Sequence, residues 1–228
     1  LKLTYEQGLL IGMYLGDGSS AYDMTNSACL SLSSKKLADS EESLNKAVSL
    51  ICGTPTTITV NKPQNNCYNV SLPNAVREFI QHWVSGSSST TKELNLNCLL
   101  QSVEFRKGII DGYVLTDGDY ATKTLIYSSS KALLEQIETV LTSLGVISRI
   151  YLDSEAGRKI VIRDEEYNSN YDIWCLSMYS RDDNTRNYKD LFKKRNNSIY
   201  FKIASIEPVS YSDEYVYCFE MRNQEEPY

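Results

Sequence analysis

Two aspartates, Asp17 and Asp117, stand one hundred residues apart in similar surroundings, "LIGMYLGDG" and "IDGYVLTDG". Each follows an apolar stretch that predicts a helix, so each carboxylate meets the negative end of a helix dipole. Two carboxylates brought together there also repel each other, and a divalent cation relieves both penalties. Carboxylates, carbonyls and water suit Mg²⁺, which leaves room for a phosphate. One Asp-Gly pair alone would indicate only a turn; the matched pair favours a metal site.

Small residues line one face of each predicted helix. Glycines recur at positions 8, 12 and 16, and again at 108 and 112, with Thr116 in the last place. Each glycine costs about 1 kcal/mol relative to alanine, but such a stripe lets two backbones approach more closely than the usual ~8–10 Å. Each stripe could instead pack on a sheet of its own half. Because the stripe is duplicated, we expect the two helices to pack on each other about a pseudo-two-fold axis, which brings the aspartates together.

The elements that follow each motif are duplicated too. An alternating strand runs into an amphipathic helix that ends at Gly53 in the first copy and at Gly145 in the second. Two strands come next, "TTITVN" with "CYNVSL" and "VISRIYLD" with "YDIWCLSMY", and the helices "PNAVREFIQHWV" and "NTRNYKDLFKKR" close the copies. We therefore predict an α+β fold of two repeats, each with the order helix, two strands, helix, two strands, helix. The predicted divisions are 1–100, 101–196 and a β-rich tail, 197–228.

The composition narrows the classes of function. The 228 residues include one histidine, His82, so schemes based on Ser-His or Cys-His nucleophiles and histidine-rich zinc sites are disfavoured. Six cysteines without metal-site spacing predict reduced, mostly buried thiols. Net charge is −6, but residues 197–228 carry two basic and six acidic side chains, so the tail supplies −4 of it. With no long apolar run and no leader, we expect a cytoplasmic, nucleoid-associated protein that is neither secreted nor membrane-bound.

The paired motifs resemble those of the LAGLIDADG homing endonucleases, in the single-chain, two-motif form. The segment "LNLNCLLQSVEFRKGIIDGYVLTDGD" also resembles the approach to the second motif in the intein-associated branch. The resemblance covers residues 4 to about 196. It implies two αββαββα halves, with the motif helices paired at the centre and two curved antiparallel sheets in the DNA major groove.

The resemblance also implies a site and a reaction. Asp17 and Asp117 would be metal ligands, assisted by the carbonyl groups of Gly16 and Thr116. Mg²⁺ would be the cofactor, with Mn²⁺ as a substitute and Ca²⁺ supporting binding without cleavage. The family cuts both strands of DNA by metal-assisted phosphodiester hydrolysis.

A lysine near the metals in each half is a further feature of the family. Lys92 lies 75 residues after Asp17, and Lys194 lies 77 residues after Asp117, with Lys193 as the competing choice. Such a lysine would stabilise phosphate charge or polarise water. An ordinary solvated surface lysine is the alternative for each.

Sequence recognition would fall to the outward faces of the two sheets, where alternate side chains reach base edges. We expect Ile58, Val60, Val70 and Leu72 to face inward in the first half, and Ile150 and Leu152 in the second. The predicted DNA-binding residues are Thr57, Thr59, Asn61, Lys62, Asn69 and Ser71 in the first half and Lys123, Arg149, Tyr151, Arg158, Lys159, Arg163 and Arg181 in the second. The same alternation describes any half-exposed sheet.

The tail, residues 199–228, is strand-like and acidic and resembles a late β segment of an intein splicing domain. It has no terminal His-Asn pair. We therefore predict no self-splicing by this chain.

The prediction is a monomeric, site-specific endonuclease of a mobile genetic element, associated with intron or intein homing, that breaks both strands of a long target. One alternative is a non-cleaving DNA- or RNA-binding protein of the same fold, a regulator or a maturase. Another is an unrelated small-molecule enzyme, for which the sequence offers no phosphate loop or nucleophile motif.

Overall fold

A computed structural model describes residues 2–20, 28–61, 67–119, 124–162, 165–179, 192–195 and 198–201. The chain divides into two compact units, residues 1–183 and residues 184–228. Both sequence repeats therefore contribute to the first unit.

Five α-helices and one 3₁₀ helix lie among the described residues of the first unit. They are α1 (Tyr5–Asp17), α2 (Ser34–Cys52), α3 (Asn74–Trp83), the 3₁₀ helix (Leu96–Leu100), α4 (Val103–Asp117) and α5 (Lys131–Ser143). The strands of this unit are β1 (Gly18–Ser20), β2 (Ala28–Ser33), β3 (Thr59–Val60), β4 (Cys67–Leu72), β5 (Val84–Ser85), β6 (Glu93–Leu94), β7 (Leu125–Ser128), β8 (Ile147–Ser154), β9 (Lys159–Ile162), β10 (Glu165–Asn168) and β11 (Ile173–Tyr179).

Helices α1 and α4 pack on each other through their glycine stripes, as the sequence predicts. A methyl group built on Gly8 would overlap the carbonyl oxygen of Phe105, and one built on Gly12 would overlap that of Ile109. The reciprocal overlaps join Gly108 with Tyr5 and Gly112 with Leu9. The two backbones are therefore in direct contact, closer than helices that pack through side chains.

The two sheets have matching topology. The first has the order β1-β2-β4-β3 and the second the order β7-β11-β8, with antiparallel neighbours throughout. Gly18, directly after α1, pairs with Leu30, and Gly118, directly after α4, bridges to Ile126. The residue after each motif helix therefore pairs at the edge of the sheet of its own repeat. The two repeats share this connection, as the predicted duplication requires.

The helix ends match the sequence signals. The hydroxyl groups of Ser33 and Ser130 accept bonds from the third amide of α2 and of α5, which satisfies donors that a helix start leaves unpaired. Gly53 ends α2 with φ 69° and Gly145 follows α5 with φ 73°, the left-handed conformation that favours glycine. After α5, Gly145 donates to the carbonyl of Thr142 and Val146 to that of Leu141, which is the Schellman arrangement.

Two parts of the second repeat differ from prediction. Residues 159–162 and 165–168 form the antiparallel pair β9 and β10, which lies in the sequence between the two predicted strands. In the second unit, residues 192–195 of the predicted closing helix form β12 (Phe192–Arg195), paired with β13 (Ser198–Phe201). The helix prediction is wrong there because the strand-forming tail supplies a ladder partner that local helix preference does not anticipate. Residues 184–191 lie outside the described residues.

The described residues contain no helix that is both long enough and apolar enough to cross a membrane.

Candidate active site

Asp17 and Asp117 are the last residues of α1 and α4. Where the two helices end, a Cβ on Gly16 would overlap the side chain of Thr116 and lie 3.1 Å from the carboxyl carbon of Asp117. The hydroxyl of Thr116 donates to carbonyls of its own helix, Gly112 at 3.2 Å and Tyr113 at 3.0 Å. The close packing of the stripes therefore brings both acidic helix ends to one place.

The carboxyl group of Asp117 has an unusual environment. Its pKa is raised from 3.8 to about 6, because burial and then the negative charge of Asp17 raise it more than the charges of Lys36 and Lys92 lower it. Each of these charges is therefore close enough to act on Asp117. A carboxyl group with a raised pKa, facing a second acid, is typical of a functional site.

Lys36 is a site residue that the sequence analysis missed. Its Nζ donates a hydrogen bond of 2.6 Å to Oδ2 of Asp17 and another of 2.7 Å to the main-chain carbonyl of Thr116. Lys36 is the third residue of α2, whose N-terminus Ser33 caps. The segment "SSKKL" places a lysine in the first turn of a predicted helix, but nothing in the sequence gives its distance back to Asp17.

Lys92 also lies at the end of α1, where its contacts are with the main chain. Its Nζ donates to the carbonyls of Tyr14 at 2.9 Å, Leu15 at 3.0 Å and Gly18 at 2.7 Å, with Gly16 at 3.4 Å. Only 4% of Lys92 is exposed, and burial lowers the pKa of its ammonium group. A cation on these carbonyls compensates the negative end of the α1 dipole.

A short hairpin delivers Lys92 to this position. Strands β5 and β6 pair Val84 with Leu94, and Gly86, with φ 77°, turns the chain between them. The amide of Lys92 donates to the carbonyl of Ser88 at 3.0 Å. The loop after α3 thus directs a lysine onto the neighbouring helix end.

An open cavity of about 220 Å³ lies beside Asp117. Its lining includes Gly16 and Leu15 from the first repeat and Tyr113, Asp117 and Ser128 from the second. The cavity leaves space for water or a phosphate oxygen next to the buried carboxyl group.

The sequence of the second repeat and the fold of the chain are each similar to known proteins. Residues 104–181 match the family model of the LAGLIDADG-like domain. A structure of mesophilic variants of the homing endonuclease I-DmoI is similar with a TM-score of 0.52 at 18% identity, over 78% of this chain and 90% of that chain. Two further structures, one of I-DmoI in complex with DNA and Ca and one in complex with DNA and Mn, are similar with the same TM-score, identity and share of this chain. The match covers 84% of the chain in the Ca structure and 91% of the chain in the Mn structure. No curated protein sequence matches the chain.

The chain has the LAGLIDADG fold. This fold confirms three predictions from the sequence: the α+β class, the central helix pair and the two antiparallel sheets. The family model matches only the second repeat, so the first repeat is assigned to the LAGLIDADG fold by its geometry.

The oxygen atoms at the end of the LAGLIDADG helices fit a hard divalent cation. The described residues contain no group of three or more His, Cys, Asp or Glu side chains that could hold a metal. They do provide two carboxylates with carbonyl oxygens beside them, and Mg²⁺ commonly uses one or two carboxylates and completes its shell with water and phosphate. One ammonium group touches both Asp17 and the carbonyl of Thr116, so one cation can bind both oxygens.

Eight of the predicted DNA-binding residues are exposed, some in the two sheets of the LAGLIDADG fold and some in adjoining loops and in β9. Exposed side chains are Thr57, Thr59, Asn61, Asn69, Arg149, Tyr151, Arg158 and Lys159, and Ser71 is half-buried. The amide nitrogen of Asn61 donates to the hydroxyl of Ser71 at 3.1 Å. Lys62, Lys123, Arg163 and Arg181 lie outside the described residues. Their roles in binding stay predictions.

Two residues assigned to the inward faces are exposed rather than buried. Ile58, Val70 and Leu72 are buried as predicted, but Val60 is 38% exposed although it pairs with buried Val70. Leu152, opposite Trp174, is 39% exposed. Both lie on edge strands, β3 and β8, where the alternation continues but covering side chains are fewer.

The lysines predicted for the second half lie in β12 of the second unit. Lys193 pairs with Tyr200 and Lys194 with Ile199. Their role at the metal site stays a prediction.

Proposed function

We propose that this chain is a site-specific homing endonuclease that makes a double-strand break in a long DNA target by metal-dependent phosphodiester hydrolysis. The observation that carries the proposal is the meeting of Asp17 and Asp117 at the ends of two helices in backbone contact. A structural role alone would not require two acids beside each other at negative helix ends. Similarity to I-DmoI, which is described in complex with target DNA and metal ions, supports it.

The residues of the site have separate tasks. Asp17 and Asp117 would hold divalent cations, together with the carbonyl groups of Gly16 and Thr116. When bound, such a cation supplies an activated water and stabilises the leaving oxygen of the phosphodiester. Lys92 fixes the last turn of α1 through its carbonyl contacts and so holds Asp17 in place. The rigid helix pair keeps both acids oriented before the substrate binds.

The two sheets would provide recognition. Each offers an antiparallel face with exposed polar side chains, and such a face fits the major groove. Since the outward residues of the repeats differ, the target would be long and at most pseudo-palindromic. Net charge of −6 does not favour DNA overall, so binding would depend on the local basic side chains of these faces.

The finer parts of the proposal extend this activity. The chain would act as a monomer of the two-motif form, related to the intein-associated branch, and would serve intron or intein homing in the cytoplasm, near the nucleoid. Mg²⁺ would be its cofactor, with Mn²⁺ replacing it and Ca²⁺ supporting binding alone.

The test uses supercoiled plasmid carrying the joined sequences that flank the gene, because such endonucleases recognise the uninterrupted form of their own locus. We expect linear product with Mg²⁺ and none with EDTA. A plasmid that keeps the two flanks apart is the matched control. Failure to linearise the joined site would contradict cleavage, and failure to bind it would contradict DNA recognition.

One observation favours the alternative, a non-cleaving DNA- or RNA-binding regulator or maturase. Lys36 pairs with Asp17 at 2.6 Å, and an acid that has an internal cationic partner can be purely structural. Specific binding of the joined site without linearisation would support this alternative.

A further inference from the structure

The ammonium group of Lys36 lies where a metal ion would bind. It contacts Oδ2 of Asp17 at 2.6 Å and the carbonyl oxygen of Thr116 at 2.7 Å. These two oxygens come from different repeats. They are an acid and a carbonyl of the kind that hard divalent cations select.

A divalent cation and this ammonium group cannot share the two oxygens. Mg²⁺ and Ca²⁺ bind oxygen ligands at roughly 2.0–2.6 Å, so a cation on both oxygens would occupy the space of the Lys36 nitrogen. Two positive charges that close repel strongly in a partly buried site. Binding at this position is therefore an exchange of one cation for another.

The side chain of Lys36 can leave. It is 25% exposed, and that of Asp17 is 21% exposed, so the pair borders solvent. Lysine carries its charge on a flexible four-carbon stem. The ammonium can thus move toward solvent, or toward a phosphate of bound DNA, while α2 stays in place.

The second repeat has no such competitor at the equivalent position. Lys36 and Leu133 both follow a capping serine by three residues, and their amides donate to Ser33 and Ser130 respectively. Leu133 is 1% exposed and apolar. Asp17 and Asp117 are related by the pseudo-symmetry, but among the described residues only Asp17 accepts a hydrogen bond from a lysine of the adjoining helix start, because Lys131 of α5 pairs with Glu135.

We propose that Lys36 is a built-in competitor that a divalent cation must displace from Asp17 and Thr116. It lowers the metal affinity of that position and makes the two acids unequal in metal occupancy. The inference rests on the proposed function, since it concerns the same metal site.

The test measures Mn²⁺ binding without DNA, by the loss of the free-ion signal in electron paramagnetic resonance. Parent, Lys36→Met and Lys46→Met proteins are titrated in parallel. Lys46 is the matched control because it lies on the same helix and also pairs with an acid of α1, Glu6, away from the site. We expect Lys36→Met to bind Mn²⁺ at least about fivefold more tightly, as typical coupling between sites predicts, and Lys46→Met to match the parent.

A second pair of variants guards against loss of folding. Lys36→Gln keeps a donor for the carbonyl of Thr116 without the charge and should show the same gain. Adding Asp17→Asn to Lys36→Met should remove the gain. Circular dichroism reports whether each variant is folded.

Equal or weaker Mn²⁺ binding by both Lys36 variants, or no Mn²⁺ binding by any protein, would overturn the proposal for Lys36. Cleavage of the joined-site plasmid by the parent with Mg²⁺ is scored separately. Cleavage with unchanged Mn²⁺ affinity of the variants would therefore leave the endonuclease standing and reject only the competitor.

Discussion

Gly12 lies directly against the carbonyl oxygen of Ile109, with no space for a methyl group between the two helices. The site depends on this contact, because Asp17 and Asp117 lie on the same two helices. We predict that Gly12→Ala lowers the free energy of unfolding by about 3 kcal/mol or more, since a side chain forced into a packed contact must separate the backbones.

The matched control is Gly53→Ala. Gly53 has a left-handed φ of 69°, but a Cβ there meets nothing within 4 Å, so the substitution should cost only about 1 kcal/mol. Urea denaturation measures both. Equal effects of the two substitutions would mean that close packing is not what the glycine stripe provides.

The raised pKa of Asp117 predicts a pH-dependent stability without metal. Because its pKa is about 6 in the folded chain and 3.8 as the ordinary value, the folded state binds the proton more tightly. Its contribution to stability is therefore present at low pH and is lost as the pH rises through 6, by about 3 kcal/mol in total. Asp117→Asn should stabilise the protein at pH 8 and lose most of that gain by pH 4.5. Denaturation curves in EDTA would contradict this if the gain were the same at both values.

Buried Lys92 should act mainly through the main chain of α1. Lys92→Met removes the ammonium donor from the carbonyls of Leu15 and Gly18 and from that of Tyr14, which keeps the amide of Gly18, and we predict a loss of about 2–4 kcal/mol in stability. Exposed Lys46→Met should change stability little. Thermal and urea unfolding compare the two. A Lys92→Met protein of normal stability that has lost only cleavage would instead support a direct role at the phosphate.

Arg149 is exposed on the second sheet, in β8. If that face binds DNA, Arg149→Ala should weaken binding of the joined site and, if it contacts a phosphate, reduce the salt slope of log affinity by about 1. Fluorescence anisotropy at several salt concentrations measures it, with Lys46→Ala as the control. Unchanged affinity and slope would remove Arg149 from the interface.

Sequence alone was sufficient where the signal is local or repeated. The glycine stripes, the aspartates at the helix ends and the terminal glycines Gly53 and Gly145 each have one strong physical interpretation. Their duplication then implies the pseudo-symmetry and the helix pair.

Contacts between residues far apart in the sequence could not be predicted in the same way. Lys36 and Lys92 are placed at the site by a helix start and a small hairpin, and their bonds to Thr116 and Gly18 span 80 and 74 residues. The helix prediction is wrong at residues 192–195, because these residues pair with a strand at 198–201. The alternation predicted which face of the sheet Val60 and Leu152 occupy. It did not predict how far the helices that cover this face extend.

The proposed cleavage requires that Asp17 and Asp117 together hold the metal. Asp17→Asn and Asp117→Asn test this claim, assayed for plasmid linearisation in Mg²⁺ and for binding of the same DNA in Ca²⁺. Each variant should lose double-strand cleavage and keep parental affinity, because each removes a metal ligand and no sheet contact. Linearisation by either variant at the parental rate would contradict the claim.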